Sequence, residues 1–377
     1  MVEEKIENFT QRKLSRITVI VPTYERPDSV RRQFEYWDGC GAKVFILDGS
    51  KNPSQWATLQ PKDGNVQYLH SGGTFNERRA SAAQFITTEF AILLPDDEFH
   101  LEAGLVDCVD YLDFHQNVVG CAGRSLGFFV EQNEFRAFIN HEDWLSFPLD
   151  SDTVQKRLDF ALPPNKAHKV EFSLFRAAVW KEIFSESYSD YYSCGFTYER
   201  LLNLYSAVIG RTDLIDSVLW MQSLENPPIN SADAPRLGQN NFIAWATSGI
   251  YQTEVDHYFN KARTIIGSST ELSQQEADDF ALRFLFGGVQ RQIDKERRSQ
   301  QRISRKLGLI AIRLANKPIK RWVKRLVPGR LLAFTGWRGS RLDVLKSQLS
   351  SRGISFSDAD LDRVARLVLK HHNADRV

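Results

Sequence analysis

No apolar run in this 377-residue chain reaches the roughly 18 residues that a membrane-spanning helix needs, so a bilayer-crossing segment is not expected. Cysteine is scarce. Cys40, Cys108, Cys121 and Cys194 form no CxxC pair and have no histidine partners at zinc spacing. A zinc site or disulfide framework is therefore not expected, and buried or free thiols in a reducing compartment are. The opening stretch, Met1 to Arg16, is polar and charged where a secretory signal needs an apolar core, which predicts an N-terminal tail (residues 1–16) on a cytoplasmic protein. Internal repeats and long low-complexity tracts are missing as well.

Acid is nearly missing from one region. Residues 295–341 hold 15 Lys and Arg against the single acid Glu296, a net +14 that leaves −13 for the remainder, although the whole chain carries only +1. What is present in quantity is apolar: 42% hydrophobic residues are enough for one large α/β domain with an appendage.

Read in order, the chain alternates buried strands with helices. Ile17 to Val21 is an apolar, β-branched run ended by Pro22, which suits a central strand of a parallel sheet. The loop Pro22-Thr23-Tyr24-Glu25-Arg26-Pro27 follows. A helix through Val30, Phe34 and Trp37 comes next, with Asp28 or Ser29 able to cap it. Val44 to Leu47 predicts a strand ending in Asp48-Gly49-Ser50, and Val66 to Leu69 one ending in His70-Ser71-Gly72-Gly73. A helical stretch between Asn76 and Thr87 carries Arg78 and Arg79 on its first turns. The strand Phe90 to Leu94 then stops at Pro95 and delivers Asp96, Asp97 and Glu98. Three successive carboxylates repel one another unless a cation or solvent offsets them, and a divalent ion with oxygen ligands does so. A helix from Leu101 to Phe114 and a strand from Val118 to Ala122 continue the pattern. Open parallel sheets of this kind bind ligands beyond the carboxyl ends of their strands, where these polar loops fall.

The sequence VIVPTYERP, then ILDGS, then a glycine-rich loop and helix, then LLPDDEF, resembles the family 2 type glycosyltransferases over roughly residues 15–130. The resemblance implies a GT-A type fold: an open, mostly parallel sheet flanked by helices, binding a sugar nucleotide. By position, Pro22, Thr23, Tyr24 and Glu25 would line the nucleoside pocket, with Arg26 at its edge and Asp48 on the base or ribose. Asp96, Asp97 and Glu98 match the family's metal motif, which holds the donor diphosphate through Mn²⁺ or Mg²⁺, with Asp96 also a donor contact; the third position departs from the family in being Glu. Arg78 and Arg79 are candidate contacts for the diphosphate.

Residues 17–130 are thus expected to form the nucleotide-sugar-binding half and 131–290 the acceptor half, with the aromatic-rich stretch Phe128, Phe129, Phe135, Phe138 and Trp144 spanning their boundary and leading into the acceptor side. Two acids compete for catalytic base, one in His141-Glu142-Asp143-Trp144 and one in Thr197-Tyr198-Glu199-Arg200. The resemblance implies a base at a helix start some way beyond the metal motif. Glu199 lies 101 positions past Glu98 and Glu142 only 44, so Glu199 is preferred. It would deprotonate an acceptor hydroxyl for direct, inverting attack on the sugar. Val170 to Ala177 reads as a strand entering a helix, and the helical pattern through Trp220 is expected to break at Glu225-Asn226-Pro227-Pro228, with residues 190–241 as a wall over the site. Ser273 and Glu276 have capping-box spacing.

Residues 291–377 are expected to be a basic, helical C-terminal extension. Ile303, Leu307, Ile310 and Leu314 recur at helical spacing among Lys and Arg, which predicts an amphipathic helix on an anionic membrane surface through residues 295–341, favoured over nucleic acid. Arg341 to Ala374 reads as two short helices, the second from near Ser357, that would dock a partner. The resemblance implies transfer from a nucleoside-diphosphate sugar, taken as a UDP-sugar, to a glycan or lipid-linked acceptor, and the basic segment on a cytoplasmic protein extends that expectation to surface polysaccharide or glycoconjugate synthesis. Two rivals are a nucleotidyltransferase, which should carry a glycine-rich phosphate loop after the first strand, and a non-catalytic carbohydrate- or nucleotide-binding protein.

Overall fold

The computed structural model describes residues 9–58, 64–140, 149–161, 170–189, 192–225, 242–269, 271–287 and 339–374, with a few isolated positions between 289 and 297. Its strands are β1 (Ile17–Thr23), β2 (Lys43–Asp48), β3 (Val66–His70), β4 (Phe90–Leu93), β5 (Phe99–His100), β6 (Val118–Glu131), β7 (Glu134–Asn140), β8 (Leu174–Arg176) and β9 (Arg211–Ser223). They form one nine-stranded sheet in the order β3-β2-β1-β4-β8-β6-β9-β5, with β7 paired to β6. β1, β2, β3, β4, β6 and β9 run one way, and β5, β7 and β8 oppose them. This is the open, mostly parallel sheet expected from the sequence.

The sheet has a core on each face because successive side chains of a strand point to opposite sides. Val19 and Val21 of β1, with Ile46 and Ile92, pack against helices α1 (Pro27–Trp37) and α3 (Glu102–Phe114). Ile20, Leu47 and Leu93 face the other way. They join the cluster built by α5 (Ala177–Tyr188), α6 (Phe196–Ile209) and α8 (Gln252–Gly267). A strand covered on both faces has to be apolar throughout, and every residue of β1 is buried. The smaller helices α2 (Phe75–Ser81), α4 (Val154–Ala161) and α7 (Phe242–Thr247) lie among them. All four cysteines are buried and free.

Three elements differ from the sequence reading. Residues 211–223, expected to continue a helical pattern, form the 13-residue strand β9, parallel to β6. Thr212, Val218, Leu219 and Met221 are buried in it, so packing between β6 and α3 overrides any helical spacing. Strand β6 does not stop at Ala122 but runs on to Glu131 and turns back as β7. The two-residue turn, Gln132 and Asn133, has φ of 51° and 62°, the left-handed conformation that a tight hairpin needs at both positions. The expected wall over residues 190–241 is, where described, helix α6 and strand β9; residues 226–241 lie outside the described residues, as do Glu142, Asp143 and Trp144.

The C-terminal helices α9 (Leu342–Ser351) and α10 (Asp358–Ala374) begin close to where the sequence places them. They are not free to dock a partner through their apolar faces. Leu345, Leu349, Leu361, Val364 and Val368 are fully buried in the same core as β1 and α1. Ser340 exchanges backbone hydrogen bonds with Ala137 of β7, and Ser355 with Asp216 and Val218 of β9. The amphipathic pattern of residues 303–326 lies outside the described residues. Among those described, no helix is long and apolar enough to cross a membrane.

Candidate functional site

The cleft arises from unequal strand pairing. β1 pairs with β2 as far as Thr23 and Asp48, but with β4 only as far as Ile20 and Leu93. The last bond on that side runs from Leu94 N to Ile20 O, 2.9 Å. Two residues further on, Pro22 faces the same side, where the ladder has ended and its missing N–H leaves no gap. Beyond this point β4 parts from β1, and residues 95–98 turn across the opening.

Two side chains of α1 hold the backbone of that acid loop. Gln33 donates from Nε2 to the carbonyls of Asp96 and Glu98, both at 2.9 Å, and Arg32 donates to the carbonyl of Asp97 at 3.0 Å. Gln33 is fixed in turn by Trp37, whose Nε1 donates to Gln33 Oε1 at 2.8 Å. Leaving a buried carbonyl unpaired costs about 1–3 kcal/mol, so these bonds decide the path of the loop.

The carboxylates then point to different partners. Asp96 accepts from Thr23 Oγ1 at 2.6 Å and from an Arg26 guanidinium nitrogen at 2.8 Å. The same nitrogen lies 3.4 Å from Asp97 Oδ2. Glu98 accepts from Trp220 Nε1 at 2.6 Å, and the Trp220 ring lies over Phe172 with centroids 4.3 Å apart. Burial pushes the Asp96 carboxyl up to about 6, against the pull of Arg26 and with the Asp97 charge adding to the rise. Burial alone would lower the Arg26 guanidinium; the facing Asp96 and Asp97 charges outweigh it and raise it.

Asp48, at the end of β2, is nearly inaccessible. Its Oδ1 accepts from the backbone N–H and hydroxyl of Ser50 at 2.8 and 2.5 Å, and its Oδ2 from the Tyr68 hydroxyl at 2.5 Å. Burial and this bond to a carboxylate push the Tyr68 phenol up to about 12. The first loop is pinned to the second. Gly49 N donates to Thr23 O at 3.1 Å, Glu25 N to Ser50 Oγ at 2.6 Å, and Lys51 N to the Glu25 carboxylate at 2.8 Å. Glu25 takes a left-handed φ of 53° to do so. Tyr24 is 56% exposed at the mouth, a free aromatic face beside a polar loop.

Arg78 reaches the cleft from α2. That helix opens with a reciprocal capping box between Thr74 and Glu77, which the sequence reading passed over. The Arg78 guanidinium donates to Gly73 O at 2.8 Å and to Thr23 O at 3.4 Å, and it lies flat on Gly49, where any Cβ would overlap it. Burial lowers its pKa, opposed by Asp48 and Tyr24. Arg79 turns away, with its guanidinium 4.8 Å from the centroid of Tyr188.

Thr23, Arg26, Asp48, Arg78, Asp96 and Asp97 are therefore one linked group, with Tyr24 and Glu25 on the loop that joins them. Glu199 stands in the first turn of α6, its carbonyl accepting from Asn203 Nδ2 at 2.8 Å. Helix α6 packs on residues 170–172, and the Phe172 ring lies tilted against the Trp220 that donates to Glu98. Sequence reasoning missed Arg32, Gln33, Tyr68 and Trp220. Trp220 was hidden by the wrong period for β9. Arg32 and Gln33 sit between the apolar Val30 and Phe34 with nothing in the pattern to mark them as buried.

The donor set suits a hard divalent ion only in part. Asp96 Oδ1 and Asp97 Oδ2 both lie within reach of one cationic nitrogen of Arg26, so one small cation can meet both. Glu98 commits an oxygen to Trp220, and among the described residues no three His, Cys, Asp or Glu converge as metal ligands. Two carboxylates completed by phosphate oxygens and water are a usual environment for such an ion, and the residues present fit that.

No family model matches the chain, and no curated protein matches its sequence. Among solved structures, it is similar to S. aureus TarS at 15% identity and a TM-score of 0.42, over 71% of this chain and 42% of that one. Residues 1–349 of TarS in complex with UDP-GlcNAc match at 13% identity and a TM-score of 0.46, over 71% of each chain. The mannosyltransferase PcManGT from Pyrobaculum calidifontis, in complex with GDP-Man and Mn²⁺, matches at 13% identity and a TM-score of 0.38, over 78% of this chain and 95% of that one. The chain thus spans less than half the length of the longer TarS. Likeness at this level fixes neither family nor activity.

Proposed function

We propose that this protein is a glycosyltransferase that moves a sugar from a nucleoside-diphosphate sugar, UDP-sugars first, to a hydroxyl of a glycan or lipid-linked acceptor, in surface polysaccharide or glycoconjugate synthesis. One observation carries the reading: a single hydrogen-bonded cleft at the carboxyl ends of β1, β2 and β4 joins Asp48 through Thr23 to Asp96 and Asp97. A nucleoside diphosphate has an uncharged base and ribose at one end and a dense negative charge at the other. In this reading Asp48, Tyr24 and Pro22 meet the nucleoside, with Arg78 beside them over Gly49, and Arg26 faces the diphosphate.

Asp96 and Asp97 would hold Mn²⁺ or Mg²⁺ there, which supplies Lewis-acid stabilisation of the charge that develops on the leaving diphosphate. Thr23 and Gln33 keep Asp96 in place, and Trp220 draws Glu98 aside. Arg78 ties the first loop to the loop after β3 by its bonds to Thr23 O and Gly73 O. We assign Glu199 as the base that takes the acceptor proton, which gives inversion by direct attack. The loop after β1 leads through Tyr24, Glu25 and Arg26 into Pro27 of α1, with no glycine among them, which speaks against the nucleotidyltransferase reading.

The test is calorimetric titration of sugar nucleotides and free nucleoside diphosphates, with and without Mn²⁺, into wild type and Asp97→Ala. Metal-dependent binding of one diphosphate that is lost in the variant is expected. If nothing binds at millimolar concentration, the non-catalytic reading takes its place.

A further inference from the structure

We propose that Arg26 is the resident counter-ion of the Asp96–Asp97 pair, and that metal and donor binding are coupled through its departure. This rests on the sugar-nucleotide reading of the cleft and goes beyond it in naming what fills the cation position before the donor arrives.

Three observations combine. First, one guanidinium nitrogen of Arg26 sits 2.8 Å from Asp96 and 3.4 Å from Asp97, the position a small cation shared by those two oxygens would occupy. Two cations cannot share that space, so Arg26 has to withdraw before another cation enters. Second, Arg26 is free to withdraw. It stands at the junction of β1 and α1, and its side chain is 43% exposed, whereas those of Asp96 and Asp97 are 6% and 12% exposed. Third, the carboxylates are not free to follow. Thr23 holds the Asp96 side chain, and Gln33 and Arg32 hold the loop backbone at all three residues.

A guanidinium released at the mouth of an anion-binding cleft has an obvious new partner in the phosphate oxygens of the donor, to which it can donate two parallel bonds. Arg26 thus favours the empty state when no diphosphate is present and the loaded state when one is. A divalent ion alone has to displace it without compensation, and a diphosphate arriving with the ion provides that compensation. The device makes the protein select the metal–nucleotide pair over either component, which is positive coupling between two ligands through one side chain.

The measurement is Mn²⁺ binding followed by loss of the free-ion electron paramagnetic resonance signal, with and without UDP. It is made on the full chain as wild type, Arg26→Ala, Arg26→Lys and Asp97→Ala. Wild type is expected to bind Mn²⁺ weakly alone and at least tenfold more tightly with UDP. Arg26→Ala is expected to bind Mn²⁺ alone about tenfold more tightly than wild type and to lose most of the gain from UDP. Arg26→Lys, which keeps a charge near the pair, should fall between them. Asp97→Ala should bind in neither condition. Should Arg26→Ala fold poorly by itself, recovery of its cooperative melt on adding Mn²⁺ supports the proposal, and no recovery together with wild-type-like Mn²⁺ affinity in Arg26→Lys overturns it. Unchanged or weaker Mn²⁺ affinity in Arg26→Ala also overturns it. UDP binding with no Mn²⁺ uptake by any variant removes this inference while leaving the nucleotide site standing; absence of both removes the site as well.

Discussion

Helix α1 separates two places where guanidinium and carboxylate groups meet out of bulk water. On one side Arg26 bridges Asp96 and Asp97. On the other, Arg363 of α10 pairs with Glu102 of α3, donates to the carbonyl of Tyr36 and lies over the Tyr36 ring at 4.9 Å. Exposure does not distinguish them, since the two arginine side chains are 43% and 34% exposed. Commitment does. Arg363 stands on a helix sunk in the core and ties three elements together, while Asp360 beside it accepts from Ala103 N at the start of α3. The Arg26 guanidinium spends its bonds on two carboxylates. The first arrangement is architecture, because removing it opens helix ends and carbonyls. The second is a balance of charges that another cation or anion can reset.

The largest effect that tests this contrast is on stability. Arg363→Ala should cost about 3 kcal/mol, the lower part of the range for breaking a paired and partly buried ion pair. Urea unfolding would read it, with nucleotide affinity of the folded fraction unchanged. Equal destabilisation by Arg26→Ala would erase the distinction. Next comes a pair of glycines. Gly49→Ala drives a Cβ into the Arg78 guanidinium and should weaken nucleoside diphosphate binding about tenfold, roughly 1.4 kcal/mol, with a small change in melting temperature. Gly104→Ala, whose Cβ would overlap the Val218 backbone where α3 meets β9, should do the reverse. Smaller again is Tyr68→Phe. It removes one donor from Asp48 and should weaken nucleotide binding by about 1 kcal/mol, read by calorimetry, while the urea midpoint stays in place.

The same contrast explains what the sequence disclosed. β1, β2 and β4 were legible because strands buried on both faces must be apolar nearly throughout, and Pro22, Asp48 and Pro95 stop them within a residue or two of their true ends; β3 is a half-exposed edge strand, marked by the Ser71-Gly72-Gly73 loop that follows it. The acid loop followed from those ends. β9 was not legible: Trp220, Met221 and Leu219 are placed by β6 and α3, far away in sequence, and no local period announces a strand that long-range pairing creates. The C-terminal helices were visible as helices, yet their destination was not. Leu361, Val364 and Val368 form an apolar stripe that reads identically whether it meets a partner or the chain's own α1. For the candidate site, Asp48, Asp96 and Asp97 were named through the resemblance, by motif order. The bonds that hold them, from Gln33, Tyr68 and Thr23, depend on geometry that spacing does not encode.

The smallest effect is a pH dependence at the far end of α1, where Glu35 accepts from Arg31 at 2.9 Å, Lys370 at 2.7 Å and His371 at 3.3 Å. Burial pushes the Glu35 carboxyl up, but the bond from Lys370, the His371 charge and the bond from Arg31 outweigh it and hold the group below its ordinary 4.5. A carboxyl depressed by folding stabilises the fold above its unfolded value and loses that contribution as pH falls through the folded one. His371 acts in the same direction. Burial lowers it from 6.5 despite the facing Glu35, so the fold favours its neutral form and is weakened as protonation sets in below that value. Acid therefore loosens α10 from α1 on both counts, with Arg31, Arg32 and Lys370 as the surrounding fixed charges. Because Lys370 is 60% exposed, solvent screens the pair, and the Glu35 share should be below about 1 kcal/mol. Wild type and Glu35→Gln should differ in urea midpoint near pH 6 and converge as the pH falls below 4.5 through the folded value, and added salt should shrink the gap. A gap that stays constant across that range would mean that Glu35 contributes by packing alone. In that case the charges on this side of α1 are decoration on an apolar interface, and the architectural role belongs to Arg363 and the core beneath it.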